Sequence, residues 1–349
     1  MINLFDDEQV AKQSKPLVSN DNQGKDGLFR ADLSKVSSEN KKRGYRVEMR
    51  FLPNAITNPE VIKAHMGEEY DEEKHTVIWG NSYFRKSSHY VNIKELGING
   101  YYDEPNNIDP KTGRKIDTNS PLGQLHYNYK DSKNAVVRNR TKMLNWRQKW
   151  YAYVLILNDE QLPENNGKIM ILEFGKGILD LIEAEENGQG PSGQKCDVFS
   201  LNKGKKFVYM VKEKTWTNEN TGKEVTTPSY DNSAFTGDPC PIQLPKFDED
   251  GNFVKLITPP TDEDGVIKPE IQEKITTFIL NRDVELEAFG VQEWTEKQQK
   301  EVTQIINYVS QKEDLSEPSP QDFTFDEDSG TEPQGSSSDG EDDDDWDNF

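Results

Sequence analysis

Apolar and polar residues alternate in several short stretches of the chain, and this period of two predicts β-strands. Residues 44–52 (GYRVEMRFL) alternate up to Pro53, which predicts a half-buried strand closed by a turn. In residues 150–174 a β-branched and aromatic run, the turn-like DEQLPENNG and a second apolar run predict a hairpin. Residues 197–214 predict two more strands around an Asn202-Lys203-Gly204 turn.

Apolar residues at spacings of three and four predict helices elsewhere. One begins near Lys176, and two follow Pro269, in residues 270–282 and 291–312. Short strands, one intervening helix and late helices predict a mainly β, α+β fold. The most economical architecture is an OB-type barrel with a long insertion.

Composition divides the chain into four segments. Residues 1–43 predict a flexible N-terminal arm, and residues 44–268 predict the OB-type core with an insertion at about 62–129. Residues 269–313 predict helices that pack on the core, and residues 314–349 predict a disordered acidic tail. The N-terminal residues lack the pattern of a signal peptide, and no apolar run is long enough to predict a membrane span.

The net charge of −21 argues against a nucleic-acid partner when it is taken alone. However, twelve Asp and Glu lie in residues 321–349, and no Lys or Arg follows Lys312. Residues 130–150, by contrast, hold seven basic residues and one acidic residue, interleaved with tryptophans. Such a segment is typical of a groove for single-stranded nucleic acid, because cations bind phosphates and rings stack on bases. The alternative is a solvated loop followed by core aromatics.

The candidate contacts for nucleic acid lie in this basic segment and on the strand at residues 44–52, where two of three side chains on one face are cationic. They are Arg46, Arg50, Arg138, Arg140, Lys142, Trp146, Arg147, Lys149, Trp150 and Tyr151.

The acidic end of the chain is a candidate partner-binding segment, since it places aromatic residues among carboxylates. The run can also compete with phosphates for a cationic groove. Its residues are Asp342, Asp343, Asp344, Asp345, Trp346 and Phe349.

Neither a metal site nor an active site is predicted. The four histidines and two cysteines form no CxxC or HxxxH pair, which a zinc site requires. No phosphate-binding loop or nucleophile elbow occurs, and acidic pairs that could hold a metal in a nuclease are expected by chance in so acidic a chain. The two distant cysteines predict a reducing compartment.

Six segments occur in an order that carries a resemblance. They are RFLP at 50–53, VVRNRTK at 136–142, LND…PENNGK at 157–168, EFGKG at 173–177, FVYMVKE at 207–213 and SYDNSAF at 229–235. Together they resemble the core of the T-even bacteriophage helix-destabilising single-stranded DNA-binding proteins.

This resemblance implies a non-enzymatic OB-fold that coats single-stranded DNA in replication, recombination and repair, in the cytoplasm of the infected bacterial host. It also implies an acidic tail that recruits replication and recombination proteins, and self-association on DNA. The residues that it assigns to DNA contact are Arg138, Arg140, Thr141 and Lys142, with Trp150 and Tyr230 as base-stacking rings.

Three departures from the family are visible. Residues 62–129 contain no cysteine, so the family's zinc site is absent and no cofactor is expected. The family's basic N-terminal motif has no match in MINLFDDEQ, and the nearest candidate is Lys41-Lys42-Arg43. Leu172 takes the place of a stacking tyrosine, and Glu173 lies where a cation is expected.

The main alternative is an acidic DNA mimic or a virion structural protein. A mimic should spread its acidic residues over the folded surface and lack a cationic groove. Here the acidic residues concentrate at one end and the basic residues cluster, which favours a DNA-binding protein.

Overall fold

The structure is a computed structural model and describes residues 27–29, 31, 44–72, 75–80, 82–104, 121–217, 224–282, 286–290 and 293–310. The strands are β1 (Leu28–Phe29), β2 (Tyr45–Phe51), β3 (Ala55–Ile56), β4 (Ile78–Trp79), β5 (Tyr83–Ile93), β6 (Ile98–Asp103), β7 (Leu144–Asp159), β8 (Ile169–Phe174), β9 (Gly204–Thr217), β10 (Glu224–Ser229), β11 (Ala234–Cys240), β12 (Leu244–Phe247) and β13 (Phe253–Ile257). The helices are α1 (Pro59–Met66), α2 (Pro121–Tyr129), α3 (Ala135–Thr141), α4 (Lys176–Asn187), α5 (Pro269–Leu280) and α6 (Glu296–Ser310). The prediction of an α+β fold is confirmed.

Strand β7 is the centre of the main sheet, whose order is β1-β8-β7-β2-β9-β10. Its residues 150–155 pair with β8 along one edge. Along the other edge, residues 144–152 pair with β5 and residues 154–159 pair with β2. Strand β6 pairs with β5, and β11 pairs with β9. No pairing among the described strands joins the two ends of this order, so the sheet is not a closed barrel, and the OB-type assignment stays a prediction.

The hairpin of β7 and β8 forms as predicted, and Asp159 organises its turn. The buried Asp159 carboxylate accepts hydrogen bonds from the Tyr45 hydroxyl (2.8 Å), Asn165 Nδ2 (2.9 Å) and the Leu162 amide (3.0 Å). Gly167 follows with φ +80°, where a Cβ would lie 2.7 Å from Cβ of Pro245. The LND…PENNGK segment therefore has a structural role, because its polar groups close the turn and fix β7 to β2.

Alternate residues of β7 enter two different hydrophobic clusters, since successive side chains of a strand point to opposite faces. Trp150 and alternate residues to Ile156 join a first cluster with α4, whereas Tyr151 and alternate residues to Leu157 join a second cluster with α5. Ile275 of α5 is completely buried, and burial of an isoleucine side chain stabilises a fold by about 1.5–3 kcal/mol. The apolar spacing that predicted α4 and α5 corresponds to the helix faces that cover this sheet.

A third cluster covers one face of β5, β6 and the start of β7. Helices α2 and α6 pack there, and the Tyr102 hydroxyl donates to Glu301 Oε2 of α6 at 2.8 Å. Its buried residues are Val91, Ile93, Ile98, Tyr102, Leu122, Leu125, Leu144, Val302, Ile305 and Val309. Part of the region predicted as an insertion therefore extends the main sheet.

The prediction of two strands in residues 197–214 is correct only for the second, which is β9. In the segment before it, the Phe199 amide donates to Asp197 Oδ1 (3.0 Å) and the Lys203 amide donates to Ser200 Oγ (3.1 Å). Such local side-chain bonds satisfy the backbone without strand pairing, which is why a turn forms here.

The four predicted segments lie partly outside the described residues. Leu28 and Phe29, within the predicted arm, pair in parallel with Ile171 and Leu172 of β8. The predicted tail lies outside the described residues, and the boundaries between the segments stay predictions.

Candidate nucleic-acid interface

One face of β5, β6 and β7 carries aromatic and cationic side chains in register. Tyr101 lies opposite Tyr90, which lies opposite Asn145 of β7. Successive rows on this face are two residues apart along each strand. The next row includes Arg147, and in the row after it Lys86 of β5 lies opposite Lys149 of β7. We call the surface defined by Lys86, Tyr90, Tyr101, Arg147 and Lys149 the site face. The reverse side of the same strands is the one that α2 and α6 cover.

Tyr90 and Tyr101 form a ring pair at the far end of the site face. Their centroids are 5.0 Å apart, and 44% of Tyr101 is exposed. Burial raises the pKa of Tyr101; Arg147 lowers it, and Tyr90 and Glu173 raise it. Exposed rings beside a guanidinium are groups on which unpaired bases stack, at about 1–3 kcal/mol per base.

The cations of the site face lie beside carboxylates. Lys86 Nζ is 2.7 Å from Asp103 Oδ2, and Lys149 Nζ is 3.2 Å from Glu173 Oε1. Arg147 is half-buried in the same row as Asp103. The surface is thus cationic but partly neutralised.

Glu173 of β8 lies opposite Tyr151 of β7, on the same face of the sheet. Its Oε2 accepts a hydrogen bond from the Tyr151 hydroxyl at 2.7 Å. Burial raises the pKa of Tyr230; a hydrogen bond with Tyr209 lowers it, and the Glu173 carboxylate raises it. The Tyr230 ring packs against the first cluster, which lies on the other face of β7 from Tyr151, and its centroid is 5.5 Å from that of Tyr209.

A stack of three rings closes the other end of the site face. Tyr151 stacks between Phe84 of β5, at 5.1 Å, and Phe289, at 5.6 Å. Because Tyr151 is 6% exposed, this stack gives the adjacent Lys149 and Glu173 a rigid support.

The basic segment at residues 138–142 forms helix α3 and the residue that follows it. Arg138 Nη1 donates to the Ser132 carbonyl, and Arg140 Nη1 donates to the Tyr308 carbonyl of α6, both at 2.8 Å. The Arg140 guanidinium also lies 4.2 Å from the Tyr308 ring centroid. The buried Thr141 hydroxyl donates to a backbone carbonyl within α3, whereas Lys142 is exposed.

Helix α3 packs against α2 and α6, on the side of the sheet opposite the site face. The structure therefore does not bring the two α3 arginines together with Arg147 and Lys149. Their assignment to DNA contact stays a prediction.

Arg46 and Arg50 lie on the same face of β2 but differ in exposure and in their partners. Arg46 is partly exposed and pairs with Glu48 at 2.7 Å. Arg50 is 2% exposed and donates to the carbonyls of Ser200 and Cys240. Arg50 thus lies in the interior, away from any surface that a nucleic acid could contact directly.

The two tryptophans at the start of β7 also differ. Trp150 is 7% exposed and packs in the first cluster, whereas 51% of Trp146 is exposed. Trp146 lies on the reverse side of the strand from Arg147, opposite His89. Of these two rings, Trp146 is the one that a base could reach without a change in the core.

The acidic candidates Asp342, Asp343, Asp344, Asp345, Trp346 and Phe349 lie outside the described residues. Over the described ranges, no group of three or more His, Cys, Asp or Glu could hold a metal ion. No helix in this part of the chain is both long and apolar enough to cross a membrane.

Sequence reasoning missed Tyr90, Tyr101 and Lys86. Gly97, with φ +65°, ends the short connection between β5 and β6, and the two tyrosines are paired only through this hairpin. Polar and apolar alternation in residues 87–93 was the available signal, but it does not reveal that β5 pairs with β7.

An α+β sheet with paired rings and cations on one face carries the groups with which nucleic-acid-binding proteins contact bases and phosphates. The family model described as gp32 DNA binding protein like matches residues 49–310, and the chain belongs to this family. The resemblance found in the sequence is confirmed, and membership supports a role in binding DNA. No curated protein matches the chain in sequence.

Proposed function

We propose that the protein binds single-stranded DNA without sequence preference, along the site face. The observation that carries this proposal is the alignment of Tyr90, Tyr101, Arg147 and Lys149 on one side of β5, β6 and β7. Rings accept any base because every base has a flat face, and cations accept any phosphate.

We propose that the DNA strand begins at the Tyr90–Tyr101 pair and passes Arg147 and Lys149 toward Glu173. Lys86 lies beside this path. Arg138, Arg140 and Lys142 are candidates for a second contact only if the strand turns around the sheet edge toward α3. This proposal therefore rests on fewer residues than the basic segment first indicated.

We also propose the wider role that the family suggests. The protein would act without catalysing a reaction, during phage DNA replication, recombination and repair in the host cytoplasm. The acidic residues beyond position 320 would recruit replication proteins and restrain binding by competing with DNA phosphates. Family membership and the segregation of charge along the chain support this role.

Fluorescence titration with oligo-dT over a series of salt concentrations tests the central proposal. If Lys86, Arg147 and Lys149 each contact one phosphate, the slope of log K against log salt should be negative and no steeper than about −2, at about 0.7 per phosphate of a single strand. An affinity that does not fall as salt rises would reject the phosphate contacts.

Two matched variants locate the path. Arg147→Gln removes a cation from the site face and should reduce the magnitude of the salt slope by about 0.7. Arg85→Gln makes the same charge change at an exposed residue on the reverse side of β5, opposite Trp150, and should leave the slope unchanged. Equal effects of the two variants would place the DNA elsewhere.

A further inference from the structure

The Glu173 carboxylate lies among the groups that we assign to DNA binding. It lies directly opposite Tyr151 in the pairing of β7 with β8, and Lys149 is two residues earlier on the same face of β7. One carboxylate oxygen is 3.2 Å from Lys149 Nζ, and the other accepts the Tyr151 hydroxyl at 2.7 Å. Both oxygens therefore have partners in this part of the structure.

Partial burial makes this ion pair stronger than one in open solvent. The side chains of Lys149 and Glu173 are 20% and 33% exposed. Charges at such sites interact through a lower effective dielectric constant than that of water, and salt screens them less. The stacked rings of Phe84, Tyr151 and Phe289 also restrict the movement of the carboxylate, because Tyr151 holds it by a hydrogen bond.

A phosphate and this carboxylate compete for the same ammonium group. Both are anions that accept charge-assisted hydrogen bonds from lysine. A phosphate close to Lys149 is also close to Glu173, and their repulsion opposes binding unless the ion pair opens or shifts.

From this geometry we infer that Glu173 is an internal competitor of DNA phosphate, which holds Lys149 in the free protein and gives it up when DNA binds. This inference rests on the proposed function and adds to it a residue that sets affinity. Glu173 lowers the affinity for single strands, and it shortens the time for which a strand stays bound, because the carboxylate recaptures Lys149 as the phosphate leaves.

Glu173→Gln tests the exchange, because glutamine keeps an acceptor for the Tyr151 hydroxyl and removes only the charge. Oligo-dT should bind about two- to fivefold more tightly at low salt, which is the range that a partly exposed ion pair is worth. The slope of log K against log salt should steepen by up to about 0.7, because no Glu173 carboxylate then takes up a cation when Lys149 moves to the phosphate.

Glu164→Gln is the matched control. It removes the same charge from an exposed residue in the turn between β7 and β8, and it should change neither affinity nor slope. Equal gains from the two variants would show a general charge effect and overturn the inference.

The Lys149→Gln background separates exchange from simple repulsion. There, the gain from Glu173→Gln should disappear, since no lysine remains to be released. A gain of undiminished size in this background would overturn the exchange. If Glu173→Gln does not fold, as judged by circular dichroism, Glu173→Thr gives the same comparison with a side chain suited to a strand.

The same titrations distinguish failure of this inference from failure of the proposed function. A wild-type protein that does not bind oligo-dT in a salt-dependent manner would reject the function. A wild-type protein that binds as expected, with Glu173→Gln indistinguishable from it in affinity and slope, would reject only the role of Glu173.

Discussion

The guanidinium of Arg50 is buried, and an ionised group in the interior needs partners to replace water. Its Nη2 donates to the Ser200 carbonyl and, at 3.3 Å, to the Cys240 carbonyl. Burial lowers the pKa of Arg50 to about 10, and the nearby Asp197 carboxylate opposes this shift. A Cβ at Gly204 would collide with the guanidinium, so the close approach requires glycine there. Arg50 therefore joins β2 to the segment before β9 and to the last residue of β11.

We expect Arg50→Met to destabilise the protein by about 2–4 kcal/mol, because two carbonyls lose a charged donor in the interior. The free energy of unfolding in urea measures this. Arg46→Met, at a partly exposed site on the same face of β2, is the control and should change stability by less than about 0.5 kcal/mol. Equal stability of the two variants would contradict a structural role for Arg50.

Among the helices and strands, those with one buried face and one exposed face were predicted from the spacing of their apolar residues. Ile271, Ile275 and Ile279 repeat every four residues and lie on the face of α5 that packs on the sheet. Strand β2 was predicted for the same reason, since Val47 and Met49 alternate with Arg46 and Glu48 and are completely buried.

Strand β7 shows why the site was harder to predict. Both of its faces are buried from Trp150 onward, so its sequence is a continuous apolar run that does not tell which face a ring occupies. Trp150 and Tyr151 looked like candidates for base stacking for this reason. The partners Tyr90 and Tyr101 join Arg147 only through strand register, which a single sequence does not specify.

Helix α2, on the reverse side of the sheet from the site face, carries His126, whose protonation makes stability depend on pH. Burial lowers the pKa of His126; His89 and Lys130 lower it further, and a hydrogen bond to the backbone of Thr141 and the Asp131 charge raise it. An unfolded histidine titrates near 6.5, so below that pH the unfolded chain binds more protons than the folded protein. The contribution of His126 to stability is present above this pH and is lost as pH falls through the lower pKa of the folded state.

Urea unfolding of the wild type and of His126→Gln at pH 5 and pH 7.5 should reveal this contribution. From pH 7.5 to pH 5 the wild type should lose more free energy of unfolding than the variant. The difference should be about 1 kcal/mol for each unit by which folding lowers the pKa of His126. The same pH dependence in both proteins would show that other groups dominate acid destabilisation.

For the whole molecule, the distribution of charge matters more than the total of −21. Helix α6 ends at Ser310, and Arg140 of α3 contacts Tyr308 two residues earlier. The sequence that continues from this point contains twelve acidic residues in positions 321–349. Tethering gives such a segment a high effective concentration near the basic residues of the same molecule.

Truncation after Pro320 should therefore strengthen binding to oligo-dT, by about tenfold at low salt, with a smaller gain at high salt because the competition is electrostatic. The truncated protein should also melt duplex DNA at a lower temperature. A full-length variant with Asp342, Asp343, Asp344 and Asp345 changed to Asn separates the effect of charge from that of length. No gain in affinity at low salt would remove the competition model.

The length of strand β7 affects how the protein would resist force applied to bound DNA. It is 16 residues long, about 50 Å. It extends from the site face into the core, where both of its faces are buried beyond Trp150. If DNA binds at Arg147 and Lys149 as we propose, tension on the DNA is transmitted along the backbone of β7 into the part of the sheet where β7 pairs with strands on both edges. Force applied to the bound DNA therefore acts in shear on several rows of hydrogen bonds between β7 and its neighbouring strands. We expect this DNA contact to withstand forces that would disrupt a contact located on a loop.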